Sequence, residues 1–86
     1  MKTIFCAVYD KATAAYMRPF TMQSIGQATR SFQDECQNEN SPIAQHPEDY
    51  SLFQIGSFTD HDKLEPMEPK LIARAHEVLA LQDKNA

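Results

Sequence analysis

Residues 2–9 read KTIFCAVY, a run rich in β-forming residues near the start of the chain. Its apolar side chains alternate between two sets, Ile4, Cys6 and Val8 against Phe5, Ala7 and Tyr9. Successive side chains of a strand point to opposite faces. The segment therefore predicts a strand that is apolar on both faces and has much of its surface covered.

The segment after this strand predicts a weak edge strand and then a helix. Residues 16–22 carry β-forming side chains, but Pro19 cannot donate to a ladder, so this strand can only be an edge. Ser24 and Gln27 form the S-x-x-Q pattern of a helix N-terminus. A helix to about Gln37 is expected, because apolar residues then recur at helical spacing: Ile25, Ala28, Phe32 and Cys36.

The second half of the chain predicts one more strand and one more helix. Residues 50–58 form the strand, with two covered faces or a bulge near Gly56. Residues 59–69 read as an acidic connection, and Pro69 suits the first turn of a helix that runs to about Gln82. The expected fold is α+β in a single domain, residues 1–86. It has two main strands, a weak edge strand and two helices, in the order β-(β)-α-β-α.

Composition is that of an ordinary globular domain, with 42% hydrophobic and 23% charged residues. No apolar run approaches the ~20 residues of a membrane span, and no secretory signal pattern is present. We therefore expect no membrane association and a cytoplasmic location. In that compartment Cys6 and Cys36 are expected to be reduced and partly buried.

Charge is unevenly distributed along the chain, whose net charge is −4. Residues 1–33 carry four basic residues against one acidic residue, whereas residues 34–69 carry nine acidic residues against one lysine. The acidic middle argues against indiscriminate coating of a phosphate backbone. A local basic face in the first third remains compatible with this pattern.

Catalytic and metal-binding chemistry is disfavoured by the motifs. The cluster of Asp60, His61, Asp62 and Glu65 lies in a predicted loop without fixed spacing, and it reads as a solvated acidic loop. The HPEDY sequence at residues 46–50 reads as a turn into a strand. With only two glycines there is no phosphate-cradling loop, and no nucleophile motif occurs. We expect no enzyme activity, no metal and no cofactor.

One set of residues has the composition of a single-stranded nucleic-acid site. Aromatic rings alternate with cations there, and rings stack on bases while cations pair with phosphates. The alternative is that the rings belong to the core and the charges solvate an edge, which the residues alone favour slightly. The candidate set is Lys11, Tyr16, Arg18, Phe20 and Arg30.

Several landmarks together resemble the small nonstructural protein of gokushoviruses and related Microviridae phages. They are YDK at 9–11, RPF at 18–20, ATRSF at 28–32, HPEDY at 46–50, IGSF at 55–58 and LEP at 64–66. The resemblance covers about residues 1–70, and HPEDY with IGSF is its most specific part. Ser57 and residues 60–63 depart from the family's pattern.

The resemblance implies a phage protein that acts in the host cytoplasm and is not part of the virion. It implies a DNA-binding factor in genome replication that helps the switch from duplex replication to single-strand synthesis and packaging. Single-stranded DNA is then the expected partner. The alternative is a protein-interaction module whose acidic middle engages the phage replication protein, the procapsid or a host factor.

Assembly is the last expectation from the sequence. A strand that is apolar on both faces needs more cover than two helices easily supply, and a narrow sheet is hard to stabilise alone. A second copy could cover the remaining face or continue the sheet, so a homodimer is predicted. A monomer whose two helices suffice is the alternative. The predicted contacts are Phe5, Tyr9, Phe53 and a helix from Leu71 to Leu79.

Overall fold

The computed structural model describes residues 3–58 and 64–84, with side chains described as far as Leu81. In these ranges the chain is an α+β fold with five antiparallel strands and three helices. The strands are β1 (Thr3–Asp10), β2 (Ala15–Tyr16), β3 (Phe20–Met22), β4 (Tyr50–Phe58) and β5 (Leu64–Arg74). The helices are α1 (Ile25–Cys36), α2 (Pro42–Gln45) and α3 (Ala75–Lys84), and a 3₁₀ turn spans Pro47–Asp49.

The sheet is built around β1. β4 pairs along one edge of β1, and β5 pairs along the far edge of β4. β2 and β3 share the other edge of β1, where Tyr9 pairs with Tyr16 and Cys6 pairs with Phe20. The sheet is thus four strands wide, and its two outer positions are β5 and the β2/β3 pair.

The helices pack on one face of this sheet, which we call the covered face. Ile4, Cys6 and Val8 of β1 and Leu52 of β4 point to this side and form the core with buried residues of all three helices. Those helix residues are Ala28, Phe32, Cys36, Ile43, Ala75 and Val78. The opposite side carries no helix in the described residues, and we call it the open face.

The sequence predicted α1 correctly. Ser24 is extended (φ −154°) and its hydroxyl accepts a hydrogen bond from the Gln27 amide at 3.1 Å. The Gln27 side chain reaches back and accepts from the Gln23 amide at 2.9 Å. The first bond satisfies an amide that a helix N-terminus leaves without a partner, and the second ties the residue before the cap to the first turn. The helix ends at Cys36 with Gln37 as its C-cap, as expected.

The predicted bulge near Gly56 is confirmed. The register between β1 and β4 shifts between Phe5 and Cys6, so Ile55 has no partner on β1. The register between β4 and β5 also shifts between Gln54 and Gly56. A Cβ on Gly56 would lie 3.0 Å from the carbonyl oxygen of Glu65, so a larger residue there would require the Glu65 backbone to shift.

The C-terminal third differs from the prediction. Residues 64–74 form β5, whereas we expected an acidic connection and the start of a helix at Pro69; the helix begins only at Ala75. Pairing with the free edge of β4 provides hydrogen bonds that a loop would leave to solvent. Prolines are tolerated in β5 because it is an edge strand.

Two smaller corrections concern segments expected to be continuous. The edge strand expected at residues 16–22 is divided into β2 and β3, with Pro19 in the link between them. The segment 38–49, expected to be a loop, contains α2 and the 3₁₀ turn. No helix in the described part of the chain is long and apolar enough to cross a membrane.

Candidate binding surfaces

A concavity lies between β3, α1 and α2, and we call it the groove. It has a volume of about 510 Å³. Its apolar lining comes from both sheet and helices and includes Met17, Phe20, Met22, Phe32 and Ile43. Arg18, Ser31, Glu35 and Ser41 add polar groups. A large apolar cleft with a few convergent polar groups is the usual form of a ligand site.

The charged residues of the groove come from distant parts of the chain. Arg18 lies in the link between β2 and β3, and Glu35 lies in the last turn of α1; both are exposed. Ser41 is buried, and its hydroxyl accepts from the Ile43 amide at 3.2 Å, so it caps α2 and fixes that wall of the groove. The groove therefore offers a cation, a carboxylate and an apolar floor within one cleft.

The five candidate nucleic-acid residues do not form one site. Arg18 and Phe20 both line the groove. Arg30 is exposed on α1, next in sequence to the groove residue Ser31. Lys11 lies in the turn after β1 and is tied by its amide to the carbonyl oxygen of Asp49 at 2.8 Å. Tyr16 lies on the open face, because it pairs with Tyr9.

The open face is rich in aromatic and aliphatic side chains. The rings of Tyr9 and Tyr16 are 5.0 Å apart, and Phe53 lies 5.9 Å from Tyr16 and 6.3 Å from Tyr9. These edge-to-face contacts are stabilising. Strand register places further apolar residues on this face: Phe5, Ala7, Phe58, Leu64, Pro66 and Leu71.

The predicted dimer residues divide between the two sides of the molecule. Phe5, Tyr9 and Phe53 are on the open face, and Leu71 joins them by pairing with Phe53. Leu71 belongs to β5, so the expected helix from Leu71 to Leu79 is wrong in its first part. Leu79 is on α3 and packs against the core on the covered face, so it cannot share a surface with the other four.

Two residue clusters singled out by the sequence have structural explanations or cannot be placed. In HPEDY, ligand atoms of His46, Glu48 and Asp49 lie within 4.8 Å of one another. This segment is the 3₁₀ turn leading into β4, as predicted; Glu48 is exposed and Asp49 is half-buried. Of the second cluster, Asp60, His61 and Asp62 lie outside the described residues, and Glu65 is an exposed residue of β5.

Both cysteines are buried and free, as the sequence predicted. Burial, and secondarily the charge of Glu35, raises the pKa of Cys36 to about 11. Burial also raises the pKa of Cys6. The thiolate is the nucleophilic form, so both thiols are held in their unreactive state at neutral pH.

Comparison with known proteins identifies the family. The family model described as Phage ORF5 protein matches residues 3–78. No curated protein and no solved structure matches the chain. The match confirms a phage protein, as expected from the resemblance; the narrower assignment to gokushoviruses and the DNA-binding role stay predictions. The chain therefore belongs to the Phage ORF5 protein family.

Proposed function

We propose that this phage protein is a non-enzymatic factor that binds single-stranded DNA in the groove. The observation that carries the proposal is the meeting of Arg18 and Phe20 with an apolar floor in one cleft, the groove. These two side chains also belong to the set that the sequence singled out for its alternation of cations and rings. The role in genome replication and packaging in the host cytoplasm rests on the resemblance and on membership in a phage family.

The chemistry of the groove suits an unpaired base. Phe20 offers a ring face for stacking, and the thioethers of Met17 and Met22 are polarisable groups that adapt to a planar ligand. Arg18 at the exposed edge can pair with a phosphate while the base lies on the apolar floor. Bases in duplex DNA are stacked within the helix, so this mode of binding requires a single strand.

Glu35 gives the groove a base preference. Its carboxylate accepts hydrogen bonds only, so it favours bases with an exocyclic amino group, such as cytosine and adenine. Thymine has no such group. An oligonucleotide of cytosine should therefore bind more tightly than one of thymine.

The charges of the molecule predict weak, salt-dependent binding. Arg18 is the one cation that lines the groove in the described residues, and Glu35 opposes it. Lys11 and Arg30 are exposed at other points of the surface and can contact neighbouring phosphates of a longer strand. Each neutralised phosphate of a single strand adds about −0.7 to the slope of log affinity against log salt.

Fluorescence anisotropy with labelled oligonucleotides tests the proposal. Arg18→Ala should weaken binding and make the salt slope shallower by about 0.7. Arg74→Ala is the matched control: Arg74 is also an exposed arginine but lies on β5, at the opposite edge of the sheet. It should leave the slope unchanged. Equal losses in the two variants, or no binding at low salt and high micromolar protein, would contradict the proposal.

A protein partner is the second candidate function. Exposed carboxylates are frequent along residues 34–69, outside the basic first third of the chain: Glu35, Glu39, Glu48, Glu65 and Glu68. An acidic surface fits a basic DNA-handling protein such as a phage replication protein, a procapsid component or a host factor. Recovery of a partner from lysate after nuclease treatment, by a protein without oligonucleotide affinity, would favour this function over DNA binding.

A further inference from the structure

We infer that the open face of the sheet is the contact surface of a symmetric homodimer, in which two copies stack their sheets face to face. The inference does not depend on the proposed function, because the groove lies on the covered side and remains accessible in such a dimer. It rests on the composition of the open face, on the blocked edges of the sheet and on the available area.

The open face has the composition of a protein interface. Four rows of paired residues cross it, and Arg74 is the one charged residue among those paired in register on this face within the described strands. Arg74 stands at the corner of the face, and its guanidinium donates to Glu77 at 3.3 Å. The same end of the face carries Tyr9 and Tyr16 beside Phe53, and Tyr16 is 43% exposed.

The far end of the open face is apolar and uneven. A hollow of about 320 Å³ is lined by Phe5, Pro19, Ile55, Gly56, Leu64 and Pro66. Leu64 is one of these lining residues and is 58% exposed, although contact of a leucine side chain with water is unfavourable. A hollow with an exposed leucine in its wall offers apolar surface that a second copy of the same face could cover.

The edges of the sheet oppose the other way of joining two copies. One edge is β5, which contains Pro66 and Pro69, and the other is divided into short strands around Pro19. Proline removes the amide that an added strand would bond, and such edges are typical protection against strand addition. Dimerisation by continuation of the sheet is therefore disfavoured. Stacking of the two open faces is the remaining way in which the sheets can join.

A second copy fits this face better than DNA does. A polyanion needs cations, and the one arginine on the face is engaged with a carboxylate. Two copies of an apolar face bury no unpaired charge. Four strands about 4.8 Å apart and eight residues rising about 3.4 Å each give a flat area of roughly 500 Å² per copy. The pair then buries about 1,000 Å², at the lower limit of specific interfaces, so a dimer of moderate affinity is expected.

Light scattering after size exclusion, over tens to hundreds of micromolar protein, tests the inference. The wild type should approach twice the chain mass of 9.8 kDa as concentration rises. Leu64→Glu should weaken dimerisation at least about tenfold, because two carboxylates would enter the apolar contact. Leu81→Glu is the matched control, since Leu81 is 62% exposed on α3, away from the open face, and it should dimerise like the wild type.

Tyr16→Glu adds a second disruption at an exposed position of the same face, and circular dichroism verifies that each variant is folded. A mass of 9.8 kDa for the wild type throughout the range would overturn the inference. So would variants at Leu64 and Tyr16 that dimerise as the wild type does. A monomeric wild type that loses oligonucleotide affinity in Leu64→Glu would assign the open face to DNA instead.

Discussion

The two faces of the sheet are built from the same strands but differ in side-chain size and burial. On the covered face, Ile4, Cys6, Val8 and Leu52 are between 0% and 8% exposed. On the open face, Phe5, Tyr9 and Phe53 are larger and only half-buried. In the middle of β1 and β4, small and aliphatic side chains thus stand where helices approach, and the rings of Tyr9 and Phe53 stand where the described chain provides no cover.

The difference shows how a short chain divides its apolar residues. Within residues 3–58 and 64–84, three helices, two of them of ten residues or more, cover one face of a four-strand-wide sheet and leave the other without a layer. The covered face holds the monomer together, whereas the open face contributes little to the monomer beyond contacts among its own rings. The dimer that we infer would give the aromatic residues on the open face a role in association between molecules.

The largest expected effect comes from truncating, in turn, two neighbouring residues of β4 that lie on opposite faces of the sheet. Leu52→Ala should lower the free energy of unfolding by about 2–5 kcal/mol, because Leu52 is fully buried among the helices. This is a large share of the ~5–15 kcal/mol typical of a domain. Phe53→Ala should cost less in dilute solution, about 1–2 kcal/mol, since it loses mainly the two ring contacts.

Urea unfolding of both variants at low micromolar concentration measures this difference. If Phe53→Ala were as damaging as Leu52→Ala in the monomer, the open face would be part of the core and the contrast between the faces would fail. At high concentration the wild type should gain stability and Phe53→Ala should gain less, because only association depends on concentration.

The elements that depend on local signals could be predicted from the sequence, whereas β5, which depends on pairing with a distant strand, could not. Alternation in β1 and capping at Ser24 are local signals, and both elements form as expected. β5 was missed because Leu71, Ile72 and Ala75 have helical spacing, while the free edge of β4, which no local pattern reveals, recruits the segment as a strand.

The binding surfaces were predicted only in part, because the sequence does not reveal the registers in which β2 and β3 pair with β1. Tyr16 and Phe20 were assigned to one site, yet they lie on opposite faces. β2 and β3 pair with β1 in registers that differ by one residue, so Tyr16 opposes Tyr9 while Phe20 opposes Cys6. A slip of one residue exchanges the faces. Glu35 was missed as a groove residue because it comes from another element.

The second prediction concerns the bulge at which Ile55 loses its partner on β1. Gly56→Ala should lower stability by about 1–3 kcal/mol, because the new methyl group would meet the Glu65 backbone at 3.0 Å. Gly26→Ala in α1 is the control, since its nearest contact would be Ser24 Oγ at 3.9 Å. Alanine is the better helix former, so this change should be neutral or stabilise by up to about 1 kcal/mol.

Thermal unfolding of the two glycine variants distinguishes close strand packing from a general preference for glycine. We expect Gly56→Ala to lower the melting temperature and Gly26→Ala to leave it unchanged or raise it. A Gly56→Ala protein as stable as the wild type would mean that β5 can move away from β4 without cost. The close approach of strands that shapes the hollow on the open face would then not be a fixed feature of the sheet.

The smallest expected effect tests how firmly α1 is held on the covered face. Ser24→Ala removes the acceptor for the Gln27 amide and should lower stability by about 1 kcal/mol. In a domain of this size that corresponds to a melting temperature lower by about 4–8 °C.

Ser31→Ala is the control, because Ser31 is an exposed residue in the middle of the same helix, and alanine should be neutral or slightly favourable there. Equal melting temperatures for the two variants would mean that packing of Ala28, Phe32 and Cys36 alone fixes α1. A loss confined to Ser24→Ala would show that the local capping signal still contributes once the core has formed.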